Sequence, residues 1–265
     1  VRELLKLIYC ELVKLKRKRF VWLSVAAAFL FPIPLTCLMT TQDMIRRFGK
    51  SGLFDSLFHM VLGYAVELLL PCVIGVVAAM LFFMERDNDT FKNLRTIPVT
   101  STQMVLAKLT VLFLFGELFC LLSVCATALC GLFVPDMPIG GLWYKLFVSV
   151  KMGVFITAGA LPLVVLVVFF SRTYIFSVLL CIFYSVLSLS AESLILQLPK
   201  AVCWGMPIVL INMWTAGELN AHGYDLNLKE LESSIPTTAQ TVAIIGGMAV
   251  ISFLLIDLLY KRRGE

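Results

Sequence analysis

Residues 104–133 read MVLAKLTVLFLFGELFCLLSVCATALCGLF. Thirty residues pass with charge only at Lys108 and Glu117. About 20 residues of helix, rising ~1.5 Å each, cross a hydrocarbon layer of ~30 Å. A helix can do so because it satisfies its own backbone hydrogen bonds. Five further runs of the same kind lie on either side, at 20–39, 57–84, 146–170, 174–198 and 241–260. The predicted fold class is therefore all-α: a polytopic membrane protein with six transmembrane helices in a single domain, 1–265. Composition agrees. Hydrophobic residues make up 60% of the chain and charged residues 15%, against about 45–50% and about 25% in soluble domains. This balance excludes a water-soluble enzyme, a disordered protein and a secreted disulfide scaffold, and the connections are too short to hold a soluble catalytic domain.

Residues 1–19 form a segment of another type. Val1, Leu4, Leu5, Ile8, Tyr9, Leu12 and Val13 recur at helical spacing, Arg2, Glu3, Lys6, Glu11 and Lys14 occupy the other face, and Lys16 to Arg19 close it with four cations. The pattern predicts an amphipathic helix in the membrane interface, held by apolar burial and anionic lipid; the alternative is a solvated surface helix. No cleavable signal peptide is expected. Lysine and arginine set the orientation. With the N-terminus in the cytoplasm, fifteen of them fall inside and seven outside, so both termini are expected to be cytoplasmic. The longest connection, 199–240, is then extracellular. Its first part, 203–214, is apolar but too short to cross, which predicts a re-entrant or interfacial segment; the polar remainder predicts a small outer cap. In the first span, Pro32 and Pro34 predict a kink.

Catalytic chemistry lacks its parts. The eight cysteines show no CxxC and no Cys/His spacing, and most lie in apolar runs, where a thiol behaves as a small hydrophobe. His59 and His222 are the two histidines. Gly49-Lys50-Ser51 matches the end of a P-loop, but the required earlier glycine is Met44. No cofactor, metal or nucleic acid is expected on this chain.

The informative connection is 85–103. It begins with the charged turn Glu85-Arg86-Asp87-Asn88-Asp89. A short amphipathic helix follows from Asp89 or Thr90, with Phe91, Leu94 and Ile97 on one side, and Pro98 stops it. Ser101 or Thr102 can cap the next span. A short helix tied to two spans can pass a push from a partner into the membrane; the plainer reading is a structured loop.

The string Glu85-Arg86…Thr90-Phe91-Lys92-Asn93-Leu94…Ile97-Pro98-Val99…Lys108 resembles the connection between the second and third spans of type-2 ABC exporter permeases. Within that group it is most similar to the permeases of lantibiotic immunity and bacitracin resistance. The resemblance covers the whole chain in architecture and about 25 residues in motif. It implies a bacterial plasma-membrane permease that pairs with itself or a homologous permease and binds two ATP-binding subunits, which hold the ATP and Mg. It also implies that Glu85, Arg86, Thr90, Phe91, Leu94 and Pro98 couple to the ATPase, that residues 1–19 are the connecting helix, and that the cargo is a peptide antibiotic. Two other readings stay open: an ABC exporter of a lipid or other amphiphile, and a non-transporting membrane adaptor or sensor.

Ionisable groups inside spans are costly and face protein or water. Glu117, nine residues beyond Lys108 and so roughly 13 Å deeper, is a candidate for the substrate path or a dimer interface, or else a protonated group bonded to a neighbouring helix. Glu67, Lys151 and Glu192 fall in the outer halves of their spans. They read either as a Lys151–carboxylate pair or as an acidic vestibule suited to cationic peptides. Asp257 precedes Lys261 by four residues, the spacing of an interfacial ion pair.

Overall fold

In the computed structural model, residues 2–87, 99–134, 137–170, 174–223 and 234–264 are described. Among them every regular element is a helix. Helix α1 (Arg2–Lys16) lies ahead of the first span, which is built from α2 (Arg19–Ala26), a 3-10 turn (Ala27–Phe29) and α3 (Pro32–Met39). The second span joins α4 (Gln42–Val61), a π-helix (Leu62–Leu69) and α5 (Leu70–Asp87). The third is α6 (Ser101–Leu132), and the fourth is α7 (Leu142–Gly159) followed by α8 (Leu161–Phe169). The fifth is α9 (Tyr174–Ser193). Two shorter helices, α10 (Lys200–Gly205) and α11 (Pro207–Ala221), precede the last span, α12 (Thr238–Gly264). Among the described residues, six segments are long and apolar enough to cross a membrane, in accord with the predicted number.

Proline accounts for the interruptions. Pro32 stands at the start of α3, beyond the 3-10 turn, so the first span is broken where its prolines predict a kink. Pro162 stands in the first turn of α8, after a break at Ala160. The carbonyl oxygen of Gly159, beside that break, accepts a hydrogen bond from the Tyr184 hydroxyl of α9 at 3.1 Å, which satisfies a backbone group that lipid could not. Pro71 lies just past the π-helix. In a continuous α-helix its ring would press on the carbonyl of residue 67, and the wider π turn gives that ring room.

The spans differ in burial. In an eighteen-residue apolar stretch of each span, 78%, 56% and 67% of the residues are buried in Gly52–Phe83, Ser101–Leu132 and Leu142–Phe169, against only 22%, 28% and 22% in Val21–Met39, Ile175–Ser193 and Thr238–Arg262. Spans two, three and four therefore make the core, and the other three lie around it. The main cluster runs from Phe58 through Ile74, Leu112 and Ile156 to Ile211 and Trp214.

Several connections depart from expectation. Residues 42–56, read as an outer loop, are helical, with a kink at Gly49 (φ 68°), a backbone conformation that favours glycine. The cap of the third span is Thr100, one residue before the two candidates. Its hydroxyl accepts from the Gln103 N–H at 3.3 Å, and the Gln103 side chain accepts from the Thr100 N–H at 3.0 Å, a reciprocal box. The short apolar run after span five forms α10 and α11. Helix α11 is buried on most of its surface and packs on spans four, five and six, so it is an inserted helix that does not cross. Of the stretch read as a polar cap, 215–221 continue α11, which corrects that expectation, and 224–233 lie outside the described residues.

Candidate functional site

Two polar regions are built into the bundle. The first lies where α1 meets the near ends of spans two and three. Lys108, in the second turn of α6, is fully buried. Its Nζ donates to the carbonyl oxygen of Leu81 on α5 at 2.9 Å and to Oε2 of Glu11 at 3.1 Å. Glu11 is 2% exposed, and its other oxygen pairs with Lys14. The Phe82 ring lies 5.7 Å from the same ammonium. A buried lysine requires such a cage, because an unpaired ammonium in a medium of low dielectric costs several kcal/mol. One cation thus fixes three elements: the N-terminal helix, the end of span two and the start of span three. Glu11 is not on the solvated face of α1, where its helical position had put it. It turns inward with Leu15, while Leu7 and Ile8 pack on the core.

Lys108 stands at one end of the 85–103 connection. Glu85 and Arg86 fall in the last turn of α5, and their side chains are outside what is described. Thr90, Phe91, Leu94 and Pro98, the other expected coupling residues, lie outside the described residues altogether.

The second region lies in the other half of the membrane-spanning bundle. Glu67, in the π-helix, is 3% exposed, and its Oε2 accepts from Asn212 Nδ2 of α11 at 2.5 Å. The π-helix that carries Glu67 packs against α9, which carries Glu192. Lys151 does not join these carboxylates. Its ion pair is with Glu218 of α11, at 3.7 Å, and its Nζ lies 4.6 Å from the Phe147 ring and 5.5 Å from the Trp214 ring. Glu218 also accepts from Thr238 Oγ1 at 2.8 Å, and that hydroxyl accepts from the Trp214 indole at 3.0 Å. Lys145, counted as a cation of the outer connection, is fully buried. It pairs with Asp55 at 2.7 Å and lies 4.7 Å from the Phe54 ring. The expected Asp257–Lys261 pair is present at 2.6 Å.

The structure therefore sets Glu67 and Glu192 on neighbouring elements and gives Lys151 a different partner. Asn212 and Glu218 were missed as site residues. Both sit on α11, but only Asn212 falls in the 203–214 run read as too short to cross; Glu218 lies in the stretch read as a polar cap, and the partners Glu67 and Lys151 are distant in the chain.

Glu117 is at neither region. It lies at the crossing of α6 and α7, where a Cβ on Gly153 would come within 2.8 Å of its carboxylate. Its Oε1 and the Thr157 hydroxyl are buried without a hydrogen-bond partner. Among the described residues no cluster of His, Cys, Asp or Glu has the geometry of a metal site.

Residues 7–188 match the family model described as ABC-2 family transporter protein. No curated protein matches the chain.

Proposed function

The chain belongs to the ABC-2 transporter family, and from that premise we propose that it is the permease subunit of an exporter that expels peptide antibiotics of the lantibiotic or bacitracin kind. The family makes it a membrane component of an ABC transporter, multi-pass in the plasma membrane, with an ABC ATP-binding partner. In the proposal, two copies of that partner hydrolyse ATP, and the permease works as a pair with itself or a homologous chain. The N-terminus and the 85–103 connection face the cytoplasm. Phe91 and Leu94 dock on the ATPase, and Glu85 and Arg86 link that contact to the spans.

The observation that carries this reading is the Lys108 brace. A connection can pass force only if its ends do not yield. Lys108 ties span three to span two and to α1 through buried, charge-assisted bonds, so a push on the segment between them would move three elements as one body. For the cargo, support comes from the likeness of the 85–108 string to peptide-antibiotic permeases; Glu67 is buried and bonded to Asn212 and so is closed to a cargo.

The test is assembly followed by stimulation. Phe91→Ala with Leu94→Ala is expected to abolish co-purification with the ATP-binding subunit while leaving the permease folded; undiminished co-purification would refute the docking role. In reconstituted complex, ATPase activity is expected to rise with a lantibiotic or bacitracin. Activity indifferent to both but raised by a lipid would remove the peptide cargo and leave the transporter class standing.

A further inference from the structure

We infer that the corner between α1 and α2 is a binding site for anionic phospholipid headgroups. Helix α1 has two apolar faces. One is docked on the bundle through Leu7, Ile8 and Leu15, with Glu11 fixed to Lys108. The other carries Leu5, Tyr9 and Leu12 at helical spacing, and these side chains are 60%, 68% and 39% exposed. No described part of the chain covers that stripe.

At the end of α1 the backbone turns. Lys18 is extended (φ −92°, ψ 122°) and its N–H donates to the Leu15 carbonyl at 2.9 Å, before α2 starts at Arg19. The turn fans four consecutive cations, Lys16, Arg17, Lys18 and Arg19, around one corner. All four are exposed, and among the described residues none is in an ion pair. The acidic groups of α1 do not neutralise them. Glu11 faces inward and is used by Lys108 and Lys14. Glu3 is thirteen residues from Lys16, roughly 20 Å along a helix, beyond the ~8–10 Å over which charges act at physiological salt. Trp22 follows one turn into α2, and it and Tyr9 are exposed rings of the type that settles at headgroup level.

A free anion would answer the four charges but leave the Leu5–Tyr9–Leu12 stripe in water. A bilayer leaflet with anionic headgroups answers both at the same height, because acyl chains cover the stripe while phosphates meet the corner. The geometry commits the site to lipid. Because α1 is fixed to Lys108, lipid held at the corner also sets where α1 sits against the second and third spans.

The experiment uses the full chain reconstituted in phosphatidylcholine bilayers containing traces of spin-labelled phosphatidylglycerol or spin-labelled phosphatidylcholine. The ratio of their association constants is the readout. The wild-type chain is expected to prefer phosphatidylglycerol by about fivefold or more, with the preference shrinking towards one in about 1 M sodium chloride. Replacing Lys16, Arg17, Lys18 and Arg19 together by Gln is expected to remove most of the preference, and Lys200→Gln is expected to leave it. No preference in the wild type, or an undiminished one in the fourfold variant, would overturn the assignment. If the fourfold variant fails to insert, the salt series on the wild-type chain decides: a preference that survives high salt is not carried by the corner. A preference abolished by inorganic phosphate, but not by chloride of equal ionic strength, would give the corner to a free anion instead of lipid.

Discussion

Lys108 is fully buried, and the stability of the chain depends on the groups that surround its Nζ. Removing one partner of a buried ion pair costs about 3–5 kcal/mol, whereas replacing both by apolar groups of similar size is often close to neutral. Glu11→Gln is therefore expected to destabilise the chain by about 3 kcal/mol, read as a lower unfolding midpoint in detergent. Glu11→Leu combined with Lys108→Met should recover most of that loss. If the double variant is as unstable as the single one, the brace is held by shape and not by charge. This residue also shows where sequence reading stops. Lys108 served there as a marker of depth, and Glu11 as one of several polar positions on an amphipathic helix. Their pairing spans 97 positions, and helical periodicity carries no information across such a distance. The Thr100–Gln103 box is the contrary case. It is local, it follows a known spacing, and it was legible, but three hydroxyl residues in succession obscured which one takes the cap.

At the scale of helices, the crossing of α6 and α7 depends on two glycines. A Cβ on Gly116 would fall 2.0 Å from the Thr157 hydroxyl oxygen and 3.4 Å from its Cβ. Gly116→Ala is expected to force the helices apart and cost about 1–3 kcal/mol, the usual range for overpacking. Thr157→Ala should suppress the defect, because it removes the clashing oxygen and leaves the more distant Cβ. Thermal unfolding of the two single variants and the double variant gives the answer; an additive double variant would show that the crossing yields in some other way. A further helix-scale contact is the Glu67–Asn212 bond. Asn212→Leu leaves a buried carboxyl without its donor and is expected to cost about 2 kcal/mol, together with faster proteolysis of the α10–α11 segment. Long spans were readable here because thirty apolar residues admit one interpretation. The insertion of α11 was half readable: its length excluded a crossing, but only packing decides whether such a run lies on the bundle or within it.

Across the whole molecule, spans two to four form a body on which α1 and three less buried spans pack. Legibility follows the same division. Number and extent of the spans rest on composition and length, which a single sequence holds in full. The polar regions rest on which helix faces meet, and those contacts join residues tens to hundreds of positions apart. Thus Lys151 was assigned to the correct kind of partner, a carboxylate, but to the wrong helix.

The Lys108 brace also bears on how the chain is made. A lysine at the helix centre adds roughly 2.5–3.5 kcal/mol to the cost of insertion, and less towards an end. Lys108 stands in the second turn of span three, so its entry carries a smaller penalty, which Glu11 relieves. Helix α1 is synthesised earlier and carries the carboxylate that pairs with Lys108. It acts in this respect as a chaperone within the chain. Deleting residues 1–16 is expected to leave spans one and two inserted and to lower the fraction of chains in which span three enters correctly, as read by glycosylation or cysteine-labelling reporters placed after residue 134. Lys108→Leu should restore insertion in the shortened chain.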